Sequence, residues 1–428
     1  MIDDLLHFLN ASPVNFLAVA ELRRRLEAAG FTELRAADSW TVSAGDKRYV
    51  CANSSAIFAF VAGDGAPSEG VRIICAHSDS PCFRAKPHCE MLCEGNIVKL
   101  NTEVYGGPIL YTWFDRPLGL AGRAILRGDD PLQPRQVAVR LEGARLVIPH
   151  LAIHFNRGVN DGNPLSRQKD MLPVLGRVDD PAEATDLVGR MLARQLGVPR
   201  EELLDYDLSL YTLEHAERIG LNGEFVSSGR IDDLSMVHAA LSALLATADE
   251  SSRHTRVMAI FDNEETGSGT KQGAASPVLK QTLQRLCAAL GGSEEDYFRS
   301  MAQSFMISAD NGHGVHPNYV EKQDPTNHPV LGGGPVIKIN ANCKYMTDAD
   351  SAAVFATLCE RAGVPVQRFV NHSDVAGGST LGNILTSQIA LRGVDMGAPV
   401  WAMHSARETA AAADHVATIG AFTEFFRV

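Results

Sequence analysis

The chain lacks any apolar run near the ~20 residues a membrane-spanning helix needs, so a helical membrane protein is not expected. It also lacks a basic excess: 39 Lys and Arg stand against 51 Asp and Glu, a formal net charge of −12. Nonspecific nucleic-acid binding relies on cations displacing counterions from phosphates, so that class is set aside. An acidic substrate would have to be met by local positive charge against the global field. Dense cysteine spacing is missing too. The eight cysteines (Cys51, Cys75, Cys82, Cys89, Cys93, Cys287, Cys343 and Cys359) form no disulfide framework, and a chain this long needs none. Cys89 and Cys93 have the spacing of a metal knuckle but no second Cys/His pair nearby, and reduced thiols are expected. The opening MIDDLLHFLNASP carries acids where a secretory signal carries bases, so a cytoplasmic location is expected.

What is present is an ordinary soluble composition, 45% hydrophobic and 21% charged, over 428 residues. That length favours two domains. An apolar stripe through Leu17, Val19, Ala20, Leu22 and Leu26 predicts a helix over 14–30, with Gly30 as its stop. Strands are predicted at 48–52, 56–61 and 71–76. Short β-like pieces follow at 96–100, 109–113, 120–126, 136–141 and 146–148, then a helical patch at 182–196. Beyond Asn222 the texture is α/β, with helices predicted at 235–248, 277–289, 349–362 and 381–390. Strands are predicted there at 256–261, 304–307, 336–339 and 400–403. The expected organisation is an α/β domain, 1–88 with 221–428, interrupted by a β-rich insertion at 89–220.

Four polar clusters each follow a short apolar run. VRIICA precedes His77-Ser78-Asp79, RVMAIF precedes Asp262-Asn263-Glu264-Glu265, SFMIS precedes Ala309-Asp310, and PVWAM precedes His404. In an open α/β sheet, ligands gather outside the carboxyl ends of the strands, so distant clusters at strand ends can converge. Asp232-Asp233 instead opens a helix, where carboxylates are favoured. Two imidazoles with several carboxylates make a mixed N/O donor set that suits Zn²⁺, and also Co²⁺ or Mn²⁺. Two adjacent glutamates can divide the work, one as ligand and one moving the proton. Taken singly, each residue has a plainer reading: a structural histidine, a helix-capping acid, a solvent-facing strand lysine. The loop Gly267-Ser268-Gly269-Thr270-Lys271 does not meet the phosphate-loop pattern and is taken as a turn.

At these residues the sequence resembles the M18 family of metallopeptidases, the aspartyl aminopeptidases. The resemblance runs in order through AHSDSPCFRAKP (76–87), VYGG (104–107), IPHLAIHFNR (148–157), DNEETGSG (262–269), SADNGHGVHPNY (308–319), VIKIN (336–340) and MHSARE (403–408). It implies a mixed-sheet catalytic domain with helices on both faces and an inserted dimerisation domain, the dimers assembling to a tetrahedral dodecamer. It implies two divalent ions per chain, with Asp232 as bridging carboxylate, His77 and Asp310 completing one site, and Glu265 and His404 the other. Glu264 would be the general base, and Asp79 would orient the His77 ring. Lys338 would meet the acidic side chain of a peptide's N-terminal Asp or Glu, and His154 would reach into a partner's active site. His150 is a weaker candidate of the same segment, and His316 would lie near Asp310.

The chain also departs from that pattern. The family has Asn after the bridging aspartate, whereas this chain reads Arg230-Ile231-Asp232-Asp233, and VAGGST at 375–380 matches the family's glycine-rich turn only loosely. Two alternatives stay open: a related two-metal aminopeptidase of neutral or broad specificity, M42-like, or a noncatalytic oligomeric scaffold.

Overall fold

A computed structural model describes residues 1–428. The chain divides into two compact units. The first comprises Met1–Asp79, Ala216–Met403 and Glu408–Val428; the second comprises Ser80–His215 with His404–Arg407. The second unit therefore begins earlier than residue 89. The strand Cys82–Cys93 pairs antiparallel with Ile97–Tyr105 and Leu203–Thr212 and so belongs to the second unit's sheet.

The first unit is organised on a nine-stranded mixed sheet. Its order is Thr32–Glu33, Lys47–Ala52, Ala56–Val61, Arg256–Phe261, Arg72–His77, Phe305–Ala309, Arg392–Gly397, Val336–Lys338 and Gln367–Phe369. The four strands from Arg256–Phe261 to Arg392–Gly397 are mutually parallel. Parallel strands buried on both faces need apolar residues at every position, which is why VRIICA and RVMAIF lack polar alternation. Ile74, Ala76, Met258 and Ile260 turn to one face, against the helices Ile2–Ala11, Ile231–Thr247 and Ala412–Arg427. Ile73, Cys75, Val257 and Ala259 turn to the other, against Val278–Ala289 and Glu294–Gln303. The helix Ile231–Thr247 is buried on nearly all sides, as befits a helix packed between a sheet and further helices.

A separate five-stranded sheet in the first unit joins Glu217–Ile219, Phe225–Ser228, Glu408–Ala411, Pro399–Trp401 and Gly312–His313. The predicted 400–403 strand thus falls here and not in the central sheet. The second unit is a six-stranded antiparallel sheet, and the helix Leu187–Leu196 contributes Val188 and Leu192 to its core. The piece expected as a strand at 109–113 is a 3₁₀ turn, Leu110–Trp113, entered from Pro108 and closed by the Thr112 hydroxyl donating to the Ile109 carbonyl at 2.7 Å. Leu146–Ile148 makes only isolated bridges. The helix expected at 381–390 is limited to Leu381–Leu385. The helices Ile2–Ala11, Glu294–Gln303 and Ala412–Arg427 lie outside the sequence expectation. No helix is long and apolar enough to cross a membrane, and all eight cysteines are free.

Candidate metal centre

Three adjacent parallel strands end side by side. Phe305–Ala309 delivers Asp310, Arg72–His77 delivers its own last residue, and Arg256–Phe261 runs into Asp262–Glu265. Neighbouring strands lie ~4.8 Å apart, so residues far apart in sequence meet at their carboxyl ends. Asp232 joins them from the start of its helix, where Arg230 takes a left-handed conformation and Asp232 itself is not helical. His77, Asp232, Asp233 and Asp310, all buried, each offer one ligand atom within 4.8 Å of the others. His77 also groups in this way with Glu264 and Glu265.

The His77 ring is oriented by hydrogen bonding. Its Nδ1 lies 3.1 Å from the Asp79 carbonyl oxygen, which can only accept, so Nδ1 keeps its proton and Nε2 is the nitrogen left to bind a metal on losing its own. Nε2 faces Asp232 Oδ1 at 3.7 Å and Asp233 Oδ2 at 3.9 Å. These separations exceed a hydrogen bond but suit donors that share one ion. The Asp79 carboxylate also fixes the neighbouring turn, because its two oxygens accept from the backbone N–H groups of Glu264 and Glu265, each at 3.1 Å. One aspartate thereby registers the histidine strand against the glutamate turn.

Electrostatics favour a cation here. Burial, reinforced by neighbouring carboxylates, raises the pKa of Asp233, Glu265 and Asp310, and pushes Glu264 up to about 8. Burial opposes a charge on His77, yet Asp233 foremost among its neighbours raises its pKa well above the histidine range. Carboxylates crowded this closely are short of positive charge, and a mixed N/O donor set of buried groups fits a divalent ion such as Zn²⁺. Lys338 supplies part of that charge. It is 3% exposed, its Nζ is 3.4 Å from Asp310 Oδ2, and it lies 5.7 Å from the centre of the Tyr345 ring. A solvent-facing lysine is thereby excluded.

Asp233 is drawn into the cluster: its Oδ2 accepts from the His77 backbone N–H at 3.1 Å. Sequence reasoning assigned no role to Glu408, although it lies in the MHSARE segment. It is buried, and its Oε2 accepts from the Asp232 backbone N–H at 3.0 Å. Asp262 was also passed over; it accepts from Asn15 Nδ2 at 3.0 Å and from the Asn263 N–H at 2.8 Å, bracing the glutamate turn. A buried acid whose partners are backbone, amide or hydroxyl groups of remote segments leaves no spacing signal in sequence.

The remaining candidates come from other segments of the chain. His404 belongs to the second unit and comes shortly after the strand Pro399–Trp401 of the five-stranded sheet. It adopts a left-handed conformation, its Nδ1 donates to the Gly107 carbonyl at 3.1 Å, and its Nε2 keeps the lone pair a ligand needs. His154 is exposed in the turn-rich stretch of the second unit. The backbone N–H of His150 donates to Asp115 Oδ1, and its ring packs on Phe114. His316 is half-buried and packs on Tyr319 within its own loop, its Nδ1 accepting from the Asn318 N–H.

Comparison with known proteins gives a consistent result. The family model described as Aminopeptidase I zinc metalloprotease (M18) matches residues 8–426. A probable M18 family aminopeptidase 2 of Clostridium novyi is 48% identical over 427 residues, covering 100% of this chain and 98% of the relative. Among solved structures, one of Ape4 in complex with Nbr1 matches with a TM-score of 0.94 at 34% identity, covering 99% of this chain and 85% of the other. The S. cerevisiae mApe1 dodecamer matches with a TM-score of 0.86 at 25% identity, covering 99% and 95%.

Proposed function

The chain belongs to the M18 family of zinc aminopeptidases, and on that premise we propose that it removes N-terminal Asp or Glu from peptides with a two-ion centre and Glu264 as general base. The observation that carries the acidic preference is Lys338, a buried ammonium placed beside the cluster at Asp310. An ammonium has three donors, so one directed to Asp310 leaves others for a substrate carboxylate. A buried ammonium with donors left over selects for a carboxylate, because a neutral side chain leaves those donors unsatisfied.

In this reading His77, Asp232 and Asp310 would hold one ion, and Asp232, Glu265 and His404 would hold the other. Bound divalent ions supply Lewis acidity toward the scissile carbonyl and ease deprotonation of the attacking water. Glu264 takes that proton and passes it to the leaving amine. Asp79 keeps His77 in the ligating tautomer and fixes the turn that presents Glu264. Asp233 and Glu408 hold the backbones of His77 and Asp232.

The reading extends to assembly. Leu151, Ile153 and Phe155 are 55%, 52% and 81% exposed around His154. An apolar run of that kind calls for cover, which a second copy of the chain would provide while bringing His154 to a neighbouring centre. Dimers building a dodecamer, as in the S. cerevisiae structure, are the proposed form, and a reducing cytoplasm is the proposed setting.

The test is a panel of aspartyl-, glutamyl-, leucyl- and alanyl-anilides with zinc-, cobalt- and manganese-loaded protein, alongside mass measurement by light scattering. The acidic substrates should be favoured, and Lys338→Met should cost them about tenfold or more in kcat/KM while sparing the neutral ones. A wild-type preference for leucyl or alanyl substrates would replace the acidic specificity with a neutral one. A metal content near zero after loading would remove the catalytic reading.

A further inference from the structure

Lys338 ends a short strand whose neighbours determine what surrounds it. On one side, Lys338 pairs in register with Phe369, the last residue of Gln367–Phe369. On the other, Val336 and Ile337 lie opposite Gly397 and Met396, so the antiparallel register carried one residue further sets Lys338 opposite Asp395. Two segments emerge from this point. Tyr345, beneath the Lys338 ammonium, leads into Met346 and Thr347. The segment after Phe369 runs through Gly377 and Gly378 and returns at Thr380.

Both segments are tied to Asp395, which is fully buried. Its Oδ2 accepts from the Met346 backbone N–H at 2.5 Å, and its Oδ1 accepts from the Thr380 hydroxyl at 2.6 Å. Its backbone N–H donates to Thr347 Oγ1 at 2.8 Å. The fit is close: a Cβ added to Gly382 would lie 2.6 Å from either carboxylate oxygen. The glycine-bearing segment thus leaves the sheet beside Lys338 and is fastened beside Lys338 again.

We propose that Asp395 is a positioning residue for substrate selection, its carboxylate clasping the Tyr345–Thr347 and Val370–Thr380 segments around Lys338 so that they form the walls of the subsite for an acidic side chain. This rests on the acidic-specificity reading above. A long loop has many conformations, and fastening both ends removes most of the ordering cost that substrate binding would otherwise meet. The clasp therefore acts on substrate affinity more than on the chemical step.

The experiment compares metal-loaded wild type with Thr380→Val, Asp395→Asn and Asp395→Ala on aspartyl- and alanyl-anilide. Thr380→Val removes one tether and keeps the charge. The aspartyl KM should rise about fivefold with kcat changed less than about twofold, the scale of one lost hydrogen bond. Asp395→Asn can keep both tethers, its oxygen accepting from Met346 and its amide donating to a rotated Thr380 hydroxyl, and should stay within about twofold of wild type. Asp395→Ala should raise the aspartyl KM by more than Thr380→Val does; if it does not fold, the order of the other two decides. An Asn variant as impaired as Thr380→Val would show that charge and not tethering matters, overturning the clasp. An acidic wild-type preference left intact by Thr380→Val overturns the clasp alone, whereas a wild-type alanyl preference overturns both readings.

Discussion

Replacing Asp79 with Asn isolates the link between the histidine strand and the glutamate turn. The carboxylate accepts two backbone N–H groups, from Glu264 and Glu265, at 3.1 Å each. Hydrogen bonds to ionised acceptors contribute ~1.5–3 kcal/mol each. An Asn side chain has one acceptor oxygen and can keep only one of them; its amide N–H₂ would confront the other donor. The expected local cost is about 2–3 kcal/mol, equivalent to roughly 30–150-fold more frequent opening of the turn. The His77 Nδ1–H keeps its bond to the Asp79 backbone oxygen, and the only change at the ring is the loss of the carboxylate charge 3.4 Å from Nδ1. Amide exchange at Glu264 and Glu265 should therefore accelerate by that factor while exchange along Arg72–Ala76 stays constant. Because Glu264 is displaced from its working position, kcat should fall by about tenfold or more with metal content preserved. Unchanged exchange at both amides together with an unchanged kcat would refute the reasoning.

Three further outcomes are expected. Glu264→Gln should lower kcat by ~10²–10⁴-fold without loss of bound metal, measured by turnover and elemental analysis, since it removes a proton acceptor. Metal-stripped protein should lose thermal stability as pH rises toward about 8: the folded Glu264 pKa lies above its unfolded value, so its contribution is full at low pH and vanishes as pH passes the folded value. Metal-loaded protein should show a shallower slope, and equal slopes would count against the carboxylate cluster as the metal site. The third concerns the buried pair His238 and His415 and the exposed Asp4 beside them, linked by contacts of 2.9 Å. Burial lowers both histidine pKa values, so their contribution is present above the unfolded value and lost as pH falls. In urea titrations of metal-loaded protein, His415→Phe should narrow the stability difference between pH 5 and pH 7.

The parts of this protein legible in sequence were those with a local signature. The runs VRIICA and RVMAIF are apolar at consecutive positions, as parallel strands covered on both faces require, and the polar residues that end them mark strand carboxyl ends. The strand-end placement of His77, Glu264, Glu265 and Asp310 is legible in that way. The 109–113 piece was misread because its residues suit a strand, and only Pro108 and the Thr112 turn bond prevent one. The helix Ala412–Arg427 was passed over because its rows of Ala and Phe are buried against other helices and show little polar contrast.

Residue order and hydrophobic patterning by themselves determined the strand–loop units, the chemistry of the donor set and the family likeness. Only the tertiary structure decided which strands became neighbours, and with them the meeting of His77 and Asp310. It also placed Lys338 against Asp310, set Asp395 across from Lys338, and gave Asp79 its two backbone partners. Those pairings are contacts between segments remote in sequence. Their energies depend on burial and distance, which are properties of the folded chain and of no single segment.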